Sequence, residues 1–111
     1  MIFKRRMRHV LVEASFKTNL ADKSVETALR GGLRGIMGEA NFFRANPRVT
    51  SQLSETVFIM SVNRGFEREL VVGLSFMKEL NHSKVGFYTI KTSGTIKSLK
   101  ECFEKFYGIA K

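Results

Sequence analysis

The chain has 111 residues and a formal net charge of +9, with 43% hydrophobic residues, ten Phe, one Pro and a single cysteine. This describes one domain with one core: too apolar for disorder, too short for a second domain, and lacking both the paired cysteines of a disulfide framework and the long apolar run of a membrane span. The charge is uneven, ten Lys/Arg against four acids in residues 1–52 and nine against six in 53–111, and an excess of this sign points to nucleic acid.

Lys4-Arg5-Arg6-Met7-Arg8 runs straight into His9-Val10-Leu11-Val12-Glu13-Ala14, whose β-branched residues read as a strand. The basic cluster is therefore expected at a strand's entrance, with residues 1–8 a basic, partly flexible N-terminus of a single domain spanning 1–111. The plainer reading of the cluster is a solvated terminus that aids solubility. Met1-Ile2-Phe3 is too short an apolar run for a signal peptide, and with Cys102 alone a soluble, reducing, cytoplasmic setting is expected.

Val25, Leu29, Leu33 (or Gly32) and Ile36 recur every three or four residues, with Ala28 and Met37 beside them, as on an amphipathic helix. Asp22 or Ser24 is placed to cap its start and Gly38 to end it. Gly31, Gly32 and Gly35 inside it each weaken a helix by roughly 1 kcal/mol relative to Ala, which implies a close approach to a sheet or to a partner. Residues 39–54 are the least legible. Asn46-Pro47 marks a turn or strand entrance, and Val49 and Leu53 around Thr50, Ser51 and Gln52 allow a short polar edge strand. Thr56-Val57-Phe58-Ile59-Met60-Ser61-Val62, apolar on both faces, reads as the central strand hairpinned to it.

Phe66, Leu70, Leu74, Met77 and Leu80 mark a second helix, opened at Asn63 or the Arg64-Gly65 turn and closed by Asn81-His82-Ser83. Residues 85–90 form the last strand, and Leu99, Cys102, Phe103, Phe106 and Ile109 draw the stripe of a third helix, in which Cys102 is a small buried side chain. Between them lies Lys91-Thr92-Ser93-Gly94-Thr95-Ile96-Lys97. A strand that enters a helix through Ser-Gly-Thr presents backbone N–H groups and hydroxyls where an anion is well received, and two lysines flank it. The bland alternative is that Gly94 makes the turn and Ser93 or Thr95 caps the helix.

The order β-α-β-β-α-β-α predicts an α+β fold: an α/β sandwich with a four-stranded antiparallel sheet, ferredoxin-like or RNA-recognition-like, extended by a C-terminal helix. Apolar residues on both faces of the inner strands require a cover over the second face, either the third helix or another subunit. No glycine-rich nucleotide loop and no paired cysteines are present, and His9 and His82 stand far apart with no carboxylate cluster nearby, so no catalytic and no metal-binding residue is expected. Glu26, Glu67, Glu69, Glu79, Glu101 and Glu104 fall on predicted helices beside basic residues, as solvated faces do. His9 either contacts RNA or is a satisfied structural histidine, and His82 reads as turn surface.

Arg6-Met7-Arg8-His9-Val10-Leu11-Val12-Glu13, then Leu29-Arg30-Gly31-Gly32-Leu33, and above all Phe87-Tyr88-Thr89-Ile90-Lys91-Thr92-Ser93-Gly94-Thr95-Ile96-Lys97, resemble the archaeal ribonuclease P protein component 2 family, counterpart of the eukaryotic Pop-five subunit. The resemblance spans nearly the whole chain and rests on the order and separation of these segments. It implies a subunit of the ribonucleoprotein that removes the 5′ leader of precursor tRNA. The RNA is the catalyst there, magnesium is held by the RNA's phosphates, no cofactor is bound by the protein, and the isolated chain is inactive. The implied partners are the ribonuclease P RNA, precursor tRNA, the TIM-barrel-like protein component 3, other ribonuclease P proteins and a second copy of the chain, a homodimer within a heterotetramer, with no membrane. Carried over by position, the RNA contacts are Lys4, Arg5, Arg6 and Arg8 at the strand entrance and Lys91, Ser93, Thr95 and Lys97 around the helix start.

Two rival classes have weaker support. A stand-alone RNA-binding module of RNA-recognition-like fold displays aromatics on its third strand, whereas Glu55-Thr56-Val57-Phe58-Ile59-Met60-Ser61-Val62 begins acidic and has one aromatic. A small ferredoxin-like enzyme for acyl or phosphoryl groups needs a glycine-rich cradle near the first helix, and Arg30-Gly31-Gly32 lies inside a helix pattern instead.

Overall fold

The computed structural model describes residues 7–17, 23–80 and 83–107. Along them run β1 (Met7–Ala14), α1 (Lys23–Met37), α2 (Glu39–Ala45), β2 (Arg48–Gln52), β3 (Val57–Asn63), α3 (Glu67–Phe76), the two-residue strands β4 (Glu79–Leu80) and β5 (Ser83–Lys84), β6 (Phe87–Ser93) and α4 (Ile96–Tyr107). Strands β2, β3, β1 and β6 form one antiparallel sheet in that order. The expected split βαβ sandwich is thus realised, with β1 and β3 in the middle. Residues 57–62 of β3 are fully buried, as a strand covered on both faces must be.

Alternation along the strands sorts the core into two. Val10, Val12 and Ala14 of β1, with Phe58, Met60 and Val62 of β3, meet Leu29 and Leu33 of α1 and Leu70 and Leu74 of α3. Leu11, Val57 and Ile59 point the other way, beneath Leu99 and Phe103 of α4. The cover that the sequence leaves open between a helix and another subunit is, over these residues, α4. Phe106, expected in the α4 stripe, is 65% exposed, and Tyr107 packs on the smaller core instead. Leu99, Phe103 and Tyr107 recur every fourth residue, which carries the buried stripe past Phe106. Ile109 lies outside the described residues.

The unread segment 39–54 resolves into α2 and β2. Gly38, at φ +89°, turns the chain sharply out of α1 while its N–H donates to the Arg34 carbonyl at 3.0 Å. Asn46, in the left-handed conformation, closes α2. Only Phe42 and Ala45 are buried on this helix, too short a stripe for periodicity to reveal. The expected edge strand and hairpin are present, with β2 paired to β3.

Helix α3 stops at Phe76 instead of running through Leu80. Met77 turns extended and lies against α1 at Gly32, where an added Cβ would sit 2.8 Å from Met77 Cε. Leu80 then reaches the same core from β4, and Glu79 stands on that strand rather than on a helix. Gly31 and Gly35 face open space, so close approach explains Gly32 alone of the three. Strand β6 runs to Ser93, past the expected 85–90. It holds an extra residue, Ile90, between Thr89 opposite Val12 and Lys91 opposite Leu11, and β2 likewise holds Thr50 between Val49 and Ser51. Asp22 and His82 lie outside the described residues.

Candidate nucleic-acid interface

Antiparallel pairing brings the start of β1, the end of β3, the start of β2 and the end of β6 to one end of the sheet. Met7 lies opposite Asn63, Arg48 opposite Ser61, and Ser93 opposite His9. The basic opening and the Ser-Gly-Thr turn, distant in sequence, are neighbours there. Met7, Arg8, Arg64 and Gly94 line an open pocket of about 360 Å³ at this end. Arg8 Nε lies 3.4 Å from Glu67 Oε2 but makes no hydrogen bond. Glu67 is itself held in the first turn of α3, its Oε1 accepting the Gly65 N–H at 2.7 Å. The pocket thus has two guanidinium groups, one of them beside a carboxylate.

The face carrying α4 is polar at this end. His9 Nδ1 and Ser61 Oγ are 2.6 Å apart, Ser61 Oγ and Thr50 Oγ1 3.1 Å, and Thr50 Oγ1 lies 3.3 Å from the Ile59 carbonyl. The fully buried Ser61 hydroxyl is satisfied by this chain of contacts. Arg48 donates from Nη1 to the Asn46 carbonyl at 2.7 Å and brings Nη2 within 2.9 Å of Met7 Sδ, which fixes its guanidinium at the rim. Burial, then the charges of Arg48 and Arg8, pushes His9 below its ordinary value of 6.5. That favours the neutral ring, which meets Ser61, over a further cation at this end.

In the turn, Thr95 Oγ1 accepts the Ser98 N–H at 3.2 Å, an N-cap, and Ser93 Oγ accepts the Thr95 N–H at 3.2 Å. The capping reading is met. Both hydroxyls keep an O–H to donate, and the first N–H groups of α4 have no intrahelical acceptor. Lys97 is exposed in the first turn of α4. Lys91 stands further back on β6, in a separate open pocket with Ser98, Glu101, Cys102, Lys105 and Phe106.

The structure therefore gathers Arg8, Ser93, Thr95 and Lys97 at one sheet end and leaves Lys91 apart from them, opposite Leu11 in its own pocket. Lys4, Arg5 and Arg6 lie outside the described residues. Arg48 and Arg64 belong to the same end and escape sequence reasoning, one following Pro47 in the illegible segment, the other read only as part of a turn. Hairpin arithmetic was the available signal: the residue opening β2 and the residue following β3 must lie where β1 begins. Arg30 and Arg34 instead serve α2. Arg30 donates to the Pro47 carbonyl at 3.0 Å and lies over Phe42, while Arg34 pairs with Glu39 and lies over Phe43. Cys102 is half-buried against the smaller core. Among the described residues no three His, Cys, Asp or Glu side chains gather as a metal site requires, and no helix is long and apolar enough to cross a membrane.

The sequence profile of the Rpp14/Pop5 family matches residues 8–104. Ribonuclease P protein component 2 of Thermococcus kodakarensis is 39% identical over 101 residues, covering 89% of this chain and 80% of that protein. The protein of the same name from Saccharolobus solfataricus is 26% identical over 98 residues, 87% of this chain and 68% of its own length. Among solved structures, a chain in the cryo-EM structure of yeast ribonuclease MRP superposes with a TM-score of 0.55, covering 97% of this chain and 96% of that one. At 11% identity that likeness concerns the fold.

Proposed function

The chain belongs to the Rpp14/Pop5 family and is a protein subunit of the ribonuclease P/MRP type, and on that premise we propose that it assists an RNA catalyst in removing the 5′ leader of precursor tRNA. The observation that carries this reading is the basic end of the sheet, where Arg8, Arg48, Arg64 and the Ser93 to Thr95 turn converge. Neutralising phosphates there lowers the repulsion that opposes packing of a folded RNA, so its metal-binding core forms at lower magnesium. Magnesium held by the RNA would activate the attacking water. The chain's part is charge and position: Arg8, Lys91 and Lys97 supply cations, Ser93 and Thr95 donate hydroxyl hydrogens, and Lys4, Arg5 and Arg6, just before Arg8 in sequence, add three further positive charges.

A protein partner of the component 3 type and a second copy of the chain complete this reading, in a cytoplasmic particle. Its support is the apolar groove between α1 and α3, lined by the exposed Ile36 and Val72, the half-buried Met37 and the buried Gly73, with Arg68 and Glu69 beside them. Phe43 and Phe76 are exposed as well.

Reconstitution tests it. Precursor-tRNA cleavage by the RNA subunit with its other proteins is followed at low magnesium, with and without this chain. The expected result is a lower magnesium requirement in its presence. Cleavage by the purified chain alone would overturn the reading, and RNA binding with no effect on cleavage in any protein mixture would return the chain to a stand-alone RNA-binding module.

A further inference from the structure

Turn glycines ordinarily answer to the backbone or to packing. Gly38 has its positive φ, and Gly32 has Met77 within 2.8 Å of where a Cβ would be. Gly94 answers to neither. Its φ lies outside the left-handed region, and an added Cβ would meet a single atom, Arg8 Nη1, at an ordinary van der Waals distance of 3.4 Å. What a side chain there would enter is the pocket formed with Met7, Arg8 and Arg64.

We propose that this pocket receives one phosphodiester of a bound RNA, and that the missing side chain at Gly94 is what keeps it open. The proposal rests on the RNA-binding reading above and adds to it a specific seat, with Arg64 as a new contact. Arg8 is placed there without being saturated: Glu67 stands 3.4 Å from its Nε, which makes no hydrogen bond, while Nη1 faces the space over Gly94. Among the described residues, two guanidinium groups and one carboxylate leave one positive charge. A phosphodiester, with one negative charge and two non-bridging oxygens, matches that balance and the forked donors of arginine.

The test uses the full chain and a fluorescein-labelled RNA hairpin of mixed sequence, titrated at several salt concentrations. Arg64→Gln is expected to weaken binding about ten-fold, as loss of a charge-assisted hydrogen bond does, and to lower the salt slope by about 0.7–0.9. Gly94→Val keeps every charge of the chain and is expected to lose as much affinity and slope as Arg64→Gln, with an unchanged thermal midpoint. Lys84→Gln, exposed on β5 just before β6 opens at Phe87 opposite Ala14, removes a charge at the other end of the sheet and is the control, expected to bind as the unaltered chain does. If Gly94→Val binds like the unaltered chain while Arg64→Gln and Lys84→Gln lose equally, the charge acts diffusely and the pocket is overturned. Inorganic phosphate moving the Gly94 amide resonance to a limit that the hairpin neither shifts nor competes with would make this a small-anion site and also overturn it. Failure of the cleavage reading looks different, because the hairpin data then hold while the reconstituted magnesium requirement stays unmoved by the chain.

Discussion

Leu11 and His9 stand two residues apart on β1 and face the same side of the sheet, yet Leu11 lies beneath Leu99 and Phe103 while His9 meets Ser61 in the company of Arg48. The first neighbourhood is held by area removed from water, the second by a short series of hydrogen bonds between groups that would be expensive to bury alone. One face is thereby split. Its apolar end docks α4, and because α4 begins at Ile96, docking it delivers the Ser-Gly-Thr turn to the polar end. The core contact and the proposed RNA contact use the same strands, separated by one side-chain repeat.

The largest blow to this division should come from its apolar end. Leu99→Ala is expected to cost about 2–5 kcal/mol in urea unfolding, and to weaken RNA binding as well, since the turn is carried by the helix it loosens. Ser61→Ala comes next at about 1–3 kcal/mol, because it leaves His9 Nδ1 and the Thr50 hydroxyl without their shared partner. A salt slope unchanged by it would separate support from contact. Arg48→Gln should cost less stability, about 0.5–1.5 kcal/mol for the lost bond to the Asn46 carbonyl, while lowering the salt slope of RNA binding by about 0.7–0.9.

The two ends should also titrate with opposite sign. His9 holds its proton less tightly folded than unfolded, through burial first and then Arg48 and Arg8. Between its folded value and 6.5 the unfolded chain binds more protons, so this contribution is complete above about 6.5 and lost as pH falls through the folded value. Tyr107, on the smaller core, is pushed up to about 12 by burial first and then by Glu13. Its contribution is complete below about 10 and lost as pH rises toward 12. Urea midpoints across pH check both signs. The smallest effect is a sharper probe: Arg48→Gln should raise the His9 value by NMR titration yet leave it below 6.5, because burial is the larger cause.

Sequence pattern was informative where one physical rule dominated. β3 is apolar on both sides and is buried on both, and Leu29 and Leu33 sit on the buried side of α1. It failed where two structures satisfy one pattern. Met77 and Leu80 continue the α3 periodicity, but both are buried from extended chain, since Gly32 offers Met77 a nearer seat than another helical turn. The candidate site was half visible for a related reason. Arg8, Ser93 and Thr95 stand in recognisable local contexts, whereas Arg48 and Arg64 gain meaning only from strand register, which composition does not carry.

The extra residue in β6 reaches further than its local kink. Phe87 and Thr89 lie on the side of the sheet where Val12 and Ala14 point, and after Ile90 the parity reverses, so that Lys91 and Ser93 share the side of Leu11 and His9. A straight strand of the same sequence would turn that lysine and serine into the larger core. Two single-residue deletions in this strand therefore have opposite fates. Deleting Ile90 removes one apolar contact and leaves Lys91 opposite Leu11, whereas deleting Thr92 moves Ser93 across the sheet and puts Gly94 where Ser93 had paired with His9. The strand tolerates a change of length at one position and, two residues on, does not.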